Sequence, residues 1–211
     1  MSQLALDLLQ PPRPTLENFV PGRNAEALAA VRALVAGSGP QFVFLWGAPG
    51  CGRTHLLRAV AAPASTVPQF LIEQDLYSLD DVQRLDESGQ AQLFTLINEI
   101  RGAPGARLFA AGDAPPSSLA LRDDLRTRLA WGLVYQLHPL SDTEKSAALA
   151  HQAAARGMPL APDTLDWLLA HLPRDMRTLA AALDALDAFA LARQRSVTVA
   201  LAREWMQSAG R

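Results

Sequence analysis

Short apolar runs alternate with amphipathic segments along the chain up to residue 140. Four of these runs predict strands: QFVFLW (41–46), LYSLDD (76–81), ARLFAAGD (106–113) and LVYQLHPL (133–140). Helix-like patterns lie between them, in an alanine-rich segment that ends at Gly37, in THLLRAVAA, near 88–101 and in RDDLRTRLAWG (122–132). This alternation predicts an α/β fold, in which a parallel sheet is covered by helices.

The pattern changes after residue 140, where each amphipathic segment has helical spacing. SDTE predicts a capping box that opens a helix closed by Gly157, and further helices are expected near 162–172, 174–194 and 199–208. The proline-rich stretch QPPRP interrupts any helix and separates a short tail from the rest. We therefore predict a tail and linker at 1–14, an α/β domain at 15–140 and a helical domain at 141–211.

One stretch does not fit the alternation. Only PASTVPQFLIEQD (63–75) lies between the second predicted helix and Leu76, and its FLI residues have strand character. A parallel crossover needs about a dozen residues or more, so FLI and LYSL cannot be neighbouring parallel strands. Either FLIEQDLYSL is one extended piece, or a strand–helix unit is missing. We expect a trimmed sheet.

The first predicted strand leads into GAPGCGRTHLL (47–57), which has the spacing of a phosphate-binding loop. Gly47, Gly52 and Thr54 match the pattern G-x-x-x-x-G-K-[ST], and Arg53 replaces its lysine. Glycines let backbone N–H groups converge on an anion at a helix N-terminus, and the Thr54 hydroxyl is expected to be a ligand for Mg²⁺. Arginine carries the same positive charge as lysine, but on a broad planar group instead of a compact ammonium. We therefore expect the loop to bind phosphate but to support little hydrolysis. The alternative is an ordinary glycine-rich turn.

Three carboxylates follow two of the predicted strands. Asp80 and Asp81 end LYSLDD, and Asp113 ends ARLFAAGD. Ligands bind at the carboxyl ends of parallel strands, so Asp80 is expected to hold Mg²⁺. Asp81 is a candidate for orienting water, and Asp113 for sensing the terminal phosphate. Helix capping and turn formation are the alternatives.

Three arginines are candidates for contacts with phosphate. Arg126 and Arg128 lie in LRTRLAWG, where Arg128 is the better candidate for a finger that enters a neighbour's site. Arg177 in RDMRTL lies at a helix start, where the dipole disfavours cations, so we expect it to contact a ligand. An ordinary solvated arginine is the alternative for all three.

The composition indicates a globular protein without a strong attraction to nucleic acid. Of the 211 residues 49% are hydrophobic, and 19 basic against 21 acidic residues give a net charge of −2. A net charge of this sign and size gives no excess of basic residues with which the protein could bind duplex DNA on its own. Cys51 is the single cysteine, which excludes a disulfide framework, and no apolar run reaches membrane-spanning length. We expect a cytoplasmic protein that does not bind membranes.

Six motifs occur in an order that is typical of one family. FVPGRN (19–24), GAPGCGRTHLL, LDDVQ, AAGD, LRTRLAWG and RDMRTL together resemble the DnaA-related family of AAA+ ATPases, and most closely its Hda regulators. The resemblance implies an AAA+ domain with a helical lid, ADP or ATP with Mg²⁺ at Asp80 and Thr54, and an arginine finger at Arg128. It assigns the nucleotide contacts to Phe19, Val20, Gly47, Gly50, Cys51, Gly52, Arg53, Thr54, His55, Asp113 and Arg177.

The N-terminal stretch QLALDLL is similar to the clamp-binding signature of the same family. It implies that Gln3 forms hydrogen bonds at the rim of a cleft on the DNA polymerase III beta sliding clamp. Leu4, Leu6 and Leu8 would fill that cleft as an extended peptide. A frayed amphipathic terminus is the alternative. DNA is expected to be contacted only through the clamp, and homo-oligomer formation is left open.

The resemblance implies a regulator of replication initiation. On the clamp, the protein would present Arg128 to ATP bound by DnaA and stimulate its hydrolysis, which leaves inactive ADP-DnaA. Its own nucleotide would be a structural ligand, with ADP preferred. The alternatives are an active AAA+ ATPase that loads or remodels a replication protein such as a helicase, and a nucleotide-independent scaffold tethered to the clamp.

Overall fold

The computed structural model describes residues 13–62, 64 and 66–209. The chain divides into two compact units, one from Pro14 to Pro139 and the other from Leu140 onwards. Among the described residues, all strands belong to the first unit and the second unit is helical. No helix in these residues is long and apolar enough to cross a membrane.

The first unit is built on a sheet of four parallel strands in the order β2-β3-β1-β4. The strands are β1 (Phe42–Trp46), β2 (Leu76–Leu79), β3 (Arg107–Gly112) and β4 (Leu133–Gln136). Phe44 of β1 aligns with Ala110 of β3 on one side and with Val134 of β4 on the other. The two central strands are apolar on both faces, as strands covered by helices on both sides require. The predicted α/β fold with a parallel sheet is confirmed.

β4 is shorter than its pattern predicts. The strand ends at Gln136 rather than at residue 140. Leu137 still donates its N–H to the carbonyl of Trp46. Pro139 has no N–H with which to continue the ladder, so the pairing stops there.

Helices cover the sheet. In the described part of this unit they are α1 (Ala25–Val35), α2 (Arg53–Val60), α3 (Glu87–Gly102) and α4 (Asp123–Leu129). α2 begins directly after Gly52, whose left-handed backbone turns the chain into the helix. The Asp86 carboxylate caps α3 by accepting the N–H of Gly89 at 2.7 Å. Within RDDLRTRLAWG the helix is short: only Asp123–Leu129 are helical, and β4 begins a few residues later.

The two faces of the sheet enter two separate cores. On one face, Phe44 and Ala110 pack against α3. On the other face, Val43, Leu45 and Phe109 pack against α1 and α2. Because successive residues of a strand point to opposite faces, one continuous apolar run supplies both cores.

The segment before β2 forms no strand in its described residues. Ala64 makes a single parallel bridge with Leu79, and FLI leads into a turn in which Gln74 donates its N–H to the Leu71 carbonyl. The Tyr77 hydroxyl holds this turn, because it accepts the Leu71 N–H at 2.8 Å and donates to the Leu71 carbonyl at 2.9 Å. The trimmed sheet is confirmed, and the alternative of one extended piece is wrong because the turn interrupts it.

The second unit is helical throughout its described residues. Its helices are α5 (Asp142–Ala155), α6 (Pro162–His171), α7 (Met176–Arg193) and α8 (Val199–Ala209). Ser141 caps α5 as the sequence predicts: its hydroxyl accepts the Glu144 N–H, and the Glu144 carboxylate accepts the Ser141 N–H at 2.7 Å. The four helices share one core, to which they contribute leucines that include Leu149, Leu168, Leu183 and Leu201.

Candidate functional site

The loop between β1 and α2 has a backbone shape that fits a phosphate group. Gly50 and Gly52 have φ angles of +81° and +104°, in the left-handed region that favours glycine. A Cβ on Gly52 would lie 2.7 Å from the Phe19 ring, whereas a Cβ on Gly50 would meet nothing within 4 Å. The loop is therefore closed on the Phe19 side and open at Gly50. It leads into the N-terminus of α2, where backbone N–H groups and the helix dipole attract anions.

The two side chains expected to hold Mg²⁺, those of Thr54 and Asp80, lie in contact with each other. Asp80 directly follows β2, and its Oδ2 accepts the Thr54 hydroxyl at 2.7 Å. Its Oδ1 accepts the backbone N–H of Asp81 at 2.9 Å, which orients the carboxylate. No group of three or more His, Cys, Asp or Glu in the described residues is arranged to hold a metal. One carboxylate and one hydroxyl fit Mg²⁺ in a nucleotide site, because phosphate oxygens and water supply its other ligands.

Arg53, which replaces the usual lysine, is directed towards the strand ends. Its Nη1 donates to the Gly112 carbonyl at the end of β3, and its Nη2 lies 3.9 Å from Asp81 Oδ1. The Arg53 side chain is 11% exposed and that of Asp81 is 35% exposed. The guanidinium therefore has partners within the protein, which the loop pattern alone does not predict.

The three carboxylates predicted at the strand ends share one edge of the sheet. β2 and β3 are parallel neighbours, with Leu79 aligned with Ala110. Asp80 and Asp81 follow the carboxyl end of β2, and Asp113 follows that of β3. The loop from Gly47 to Thr54 lies at the same edge, because it follows the carboxyl end of β1, which is parallel to β3.

Gln83 links two of these carboxylate positions and is not a candidate from the sequence. Its Nε2 donates to Asp81 Oδ1 at 3.0 Å, and its Oε1 accepts the Asp113 N–H at 3.3 Å. The link depends on the left-handed backbone of Asp81, with φ +51°, which starts a 3-10 turn at Val82–Arg84. A glutamine in a turn matches no binding motif, and only its position in LDDVQ points to the site.

Residues before α1 form another wall of the loop. Phe19 is 8% exposed, and its ring centroid lies 5.5 Å from that of His55. His55 Nε2 lies 3.0 Å from the Thr15 carbonyl oxygen, and Val20 beside Phe19 is half-buried. Cys51 is buried within the loop, and burial raises the pKa of its thiol. A buried, protonated thiol is a small apolar filler rather than a nucleophile.

Arg128 lies on a surface formed by α3, α4 and the turn before β4. Its Nε donates to Asn98 Oδ1 at 3.0 Å, and its Nη1 donates to the Asp124 carbonyl at 3.2 Å. Its Cζ lies 3.7 Å from the centroid of the Phe94 ring and 5.1 Å from that of Trp131. Hydrogen bonds and aromatic rings thus orient the guanidinium, and none of the ion pairs among the described residues includes it.

Arg126, the neighbouring candidate, has different surroundings. Its Nη2 pairs with the Asp123 carboxylate, and its Nη1 lies 3.5 Å from the Leu119 carbonyl oxygen. A carboxylate therefore compensates the charge of Arg126, whereas the partners of Arg128 are an amide, a carbonyl and two rings.

The remaining candidates belong to the second unit or are not among the described residues. Arg177 is exposed near the N-terminus of α7 in the second unit. The Asp175 carboxylate caps that helix by accepting the Thr178 N–H at 2.9 Å. The clamp-binding candidates lie outside the described residues: Gln3, Leu4, Leu6 and Leu8.

Two family models match different parts of the chain. Residues 10–70 match the model of the bacterial DnaA ATPase domain. Residues 142–206 match the model of the Hda lid domain. The first match contains the phosphate-binding loop, and the second contains Arg177.

Several solved structures have the same fold. Domain III of the replication initiation protein DnaA from Thermotoga maritima has 22% identity and a TM-score of 0.69, and the match covers 93% of this chain and 98% of that chain. AMPPCP-bound DnaA from Aquifex aeolicus has 24% identity and a TM-score of 0.67, covering 86% and 67%. The RuvB Holliday junction branch migration motor from Thermotoga maritima has 14% identity and a TM-score of 0.64, covering 92% and 72%. The fold and the two family models identify the chain as a DnaA-related AAA+ protein with an Hda-type lid.

Proposed function

We propose that this DnaA-related protein regulates replication initiation by stimulating hydrolysis of ATP bound to DnaA. It binds the DNA-loaded sliding clamp through an N-terminal peptide and supplies Arg128 to the nucleotide site of DnaA. Hydrolysis leaves DnaA with ADP and so inactivates it. The matches to the DnaA ATPase and Hda lid models support DnaA as the partner. The tail sequence supports clamp binding through Gln3, Leu4, Leu6 and Leu8.

The observation that carries the proposal is the environment of Arg128. An arginine finger needs a guanidinium that is held in position but keeps N–H groups for the transferred phosphoryl group. Hydrogen bonds to Asn98 and Asp124 use two of its five N–H groups. The rings of Phe94 and Trp131 orient the cation without consuming N–H groups. The other N–H groups are then available to an incoming anion.

The protein's own nucleotide site supports binding rather than turnover. In the proposal, ADP or ATP occupies the loop from Gly47 to Thr54, with ADP preferred. Thr54 and Asp80 hold Mg²⁺, which neutralises charge on the phosphates when it is bound. Asp81, which follows Asp80, pairs with Arg53 and is one methylene shorter than a glutamate. It is therefore poorly suited to activate water. The other contacts proposed for the nucleotide are those of Phe19, Val20, Cys51, His55, Asp113 and Arg177.

A second candidate function, an active ATPase that remodels a replication protein, is favoured by one observation. The Thr54–Asp80 pair keeps the arrangement by which P-loop ATPases hold Mg²⁺. Steady-state hydrolysis of ATP by the isolated protein at about 1 s⁻¹ or faster would favour this candidate. The proposed regulator is expected to have much slower turnover in the absence of DnaA.

Single-turnover hydrolysis of ATP bound to DnaA, measured with DNA-loaded clamp, tests the proposal. Arg128→Ala is expected to lose nearly all of the stimulation, because a finger supplied in trans contributes about 10³–10⁵ in rate. Clamp binding and the melting temperature are expected to stay near those of the wild type. Arg126→Ala is the matched control, since it removes the same side chain from the same helix at a position where Asp123 compensates the charge.

The two variants separate a finger from a general effect of surface charge. Loss in Arg128→Ala with most of the stimulation kept in Arg126→Ala supports a finger. Wild-type stimulation by Arg128→Ala refutes the mechanism even if both variants bind the clamp. Equal loss in the two variants refutes a specific role for Arg128, because the variants share only the removal of a positive charge.

A further inference from the structure

Arg53 connects the phosphate-binding loop to the ends of two strands. It is the first residue of α2, and its guanidinium donates to the Gly112 carbonyl at the end of β3 and lies 3.9 Å from the Asp81 carboxylate after β2. A planar fork can donate in two directions at once, which suits arginine better than the single ammonium group of lysine. The side chain is largely buried, so these partners replace much of its hydration.

Asp81 is held in place for this contact from several sides. Its Oδ1 accepts the Gln83 amide at 3.0 Å, and its Oδ2 lies 3.6 Å from Arg84 Nη1. Its own N–H is bound by the Asp80 carboxylate at 2.9 Å. With a left-handed backbone as well, the Asp81 carboxylate has a defined position opposite Arg53.

We propose that Asp81 competes with the nucleotide phosphates for Arg53 and thereby lowers the affinity of the site. The inference rests on the nucleotide-binding part of the proposed function. Arg53 Nη2 lies 3.9 Å from Asp81 Oδ1, which is an ion pair rather than a hydrogen bond, and a guanidinium that turns towards a phosphate gives up part of this attraction. Binding of an anion therefore includes the loss of the Arg53–Asp81 pair, and the observed affinity falls with the fraction of molecules in which Arg53 is free to bind it.

Asp81→Asn is the variant that tests the competition. Asparagine removes the charge with little change of shape, and it adopts the left-handed backbone of this position readily. Arg53 keeps the Gly112 carbonyl and loses only the carboxylate. The affinity for ADP, measured by calorimetry in EDTA so that no metal contributes, is expected to rise about three- to fivefold. That is the upper range for an ion pair that is partly exposed.

A double-mutant cycle with Arg53→Ala distinguishes competition from simple repulsion between Asp81 and the phosphates. Competition requires Arg53, so Asp81→Asn is expected to leave ADP affinity unchanged in the Arg53→Ala background. Repulsion alone would give the same gain in both backgrounds. Glu73→Gln is the control for net charge, because Glu73 is exposed and precedes β2 at its opposite end. Its ADP affinity is expected to equal that of the wild type.

The outcomes separate this inference from the proposal on which it rests. An ADP affinity that is unchanged or weaker in a folded Asp81→Asn variant overturns the inference, as does an equal gain in the Arg53→Ala background. The melting temperature of each variant, measured without nucleotide, establishes that it is folded. A wild-type protein that binds neither ADP nor ATP refutes the nucleotide site itself and the inference with it.

Discussion

Replacing Asn24 by alanine tests how the segment before α1 is attached to the sheet. Asn24 is 3% exposed and forms two hydrogen bonds with the backbone of His138, just beyond β4. Its Nδ2 donates to the His138 carbonyl at 2.9 Å, and its Oδ1 accepts the His138 N–H at 2.8 Å. The Asn24 side chain therefore supplies hydrogen-bond partners for the N–H and the carbonyl of His138, which pair with no strand. It also ties the residues directly before α1 to the backbone just beyond β4.

The magnitude follows from what alanine leaves behind. Each hydrogen bond contributes about 1 kcal/mol net, and a buried polar group left without a partner costs about 1–3 kcal/mol. Because His138 is half-buried, water reaches part of the vacated space. We therefore expect Asn24→Ala to lower the free energy of unfolding by about 2–4 kcal/mol. In a chain of this size, a loss of about 3 kcal/mol lowers the melting temperature by about 6–12 °C.

Urea unfolding followed by circular dichroism, together with thermal melting, measures the loss. Asn98→Ala is the matched control, because Asn98 is exposed and its side chain accepts one hydrogen bond, from Arg128. Its free energy of unfolding is expected to change by about 0.5 kcal/mol or less. A loss for Asn24→Ala that is no larger than for Asn98→Ala would refute the reasoning, since the enclosed pair would then contribute no more than an exposed bond.

Two further predictions concern Cys51 and the N-terminal tail. Cys51 is expected to react with iodoacetamide at pH 8 at least about tenfold more slowly in the native protein than in urea, because burial raises the pKa of its thiol and the thiolate is the nucleophile. Equal rates in the two conditions would contradict its buried position. Gln3→Ala combined with Leu6→Ala is expected to abolish clamp binding in a surface plasmon resonance assay while the melting temperature is unchanged, because both residues precede the proline-rich break. Normal clamp binding by this double variant would exclude the tail as the docking segment.

The sheet and the edge that carries the candidate site could be predicted because their signals are local. The run at 41–46 is apolar on both faces, which a central parallel strand requires, and it forms β1 at Phe42–Trp46. Asp80 and Asp113 directly follow such runs, so a parallel sheet brings them to one edge whatever the details of the loops. The missing strand was predictable from chain length alone, because 63–75 is too short for a crossover.

The partners of the candidate site residues could not be predicted in the same way. The bond from Arg53 to Gly112 joins residues 59 positions apart, and the bonds from Asn24 to His138 join residues 114 positions apart. Such pairs depend on the relative placement of elements and leave no periodic pattern in the sequence. The contact of Arg53 with Asp81 depends in addition on the left-handed backbone of Asp81. Such a backbone is usually predicted from a glycine, and this position has an aspartate.

We expect Arg53 and Arg128 to interact differently with phosphate because their partners within the protein differ. We expect a phosphate that approaches Arg53 to share its N–H groups with the Gly112 carbonyl and to weaken the ion pair with Asp81, which suits a resident ligand better than a transient charge. A phosphate that approaches Arg128 meets a cation with no carboxylate partner among the described residues, held against the Phe94 ring. Arg122 lies 5.6 Å from the same ring, but its charge is compensated by the Asp124 carboxylate at 2.7 Å. Since stabilisation of a transition state requires charge that is already oriented and uncompensated, Arg128 is the arginine of this pair that is suited to act on a nucleotide held by another protein.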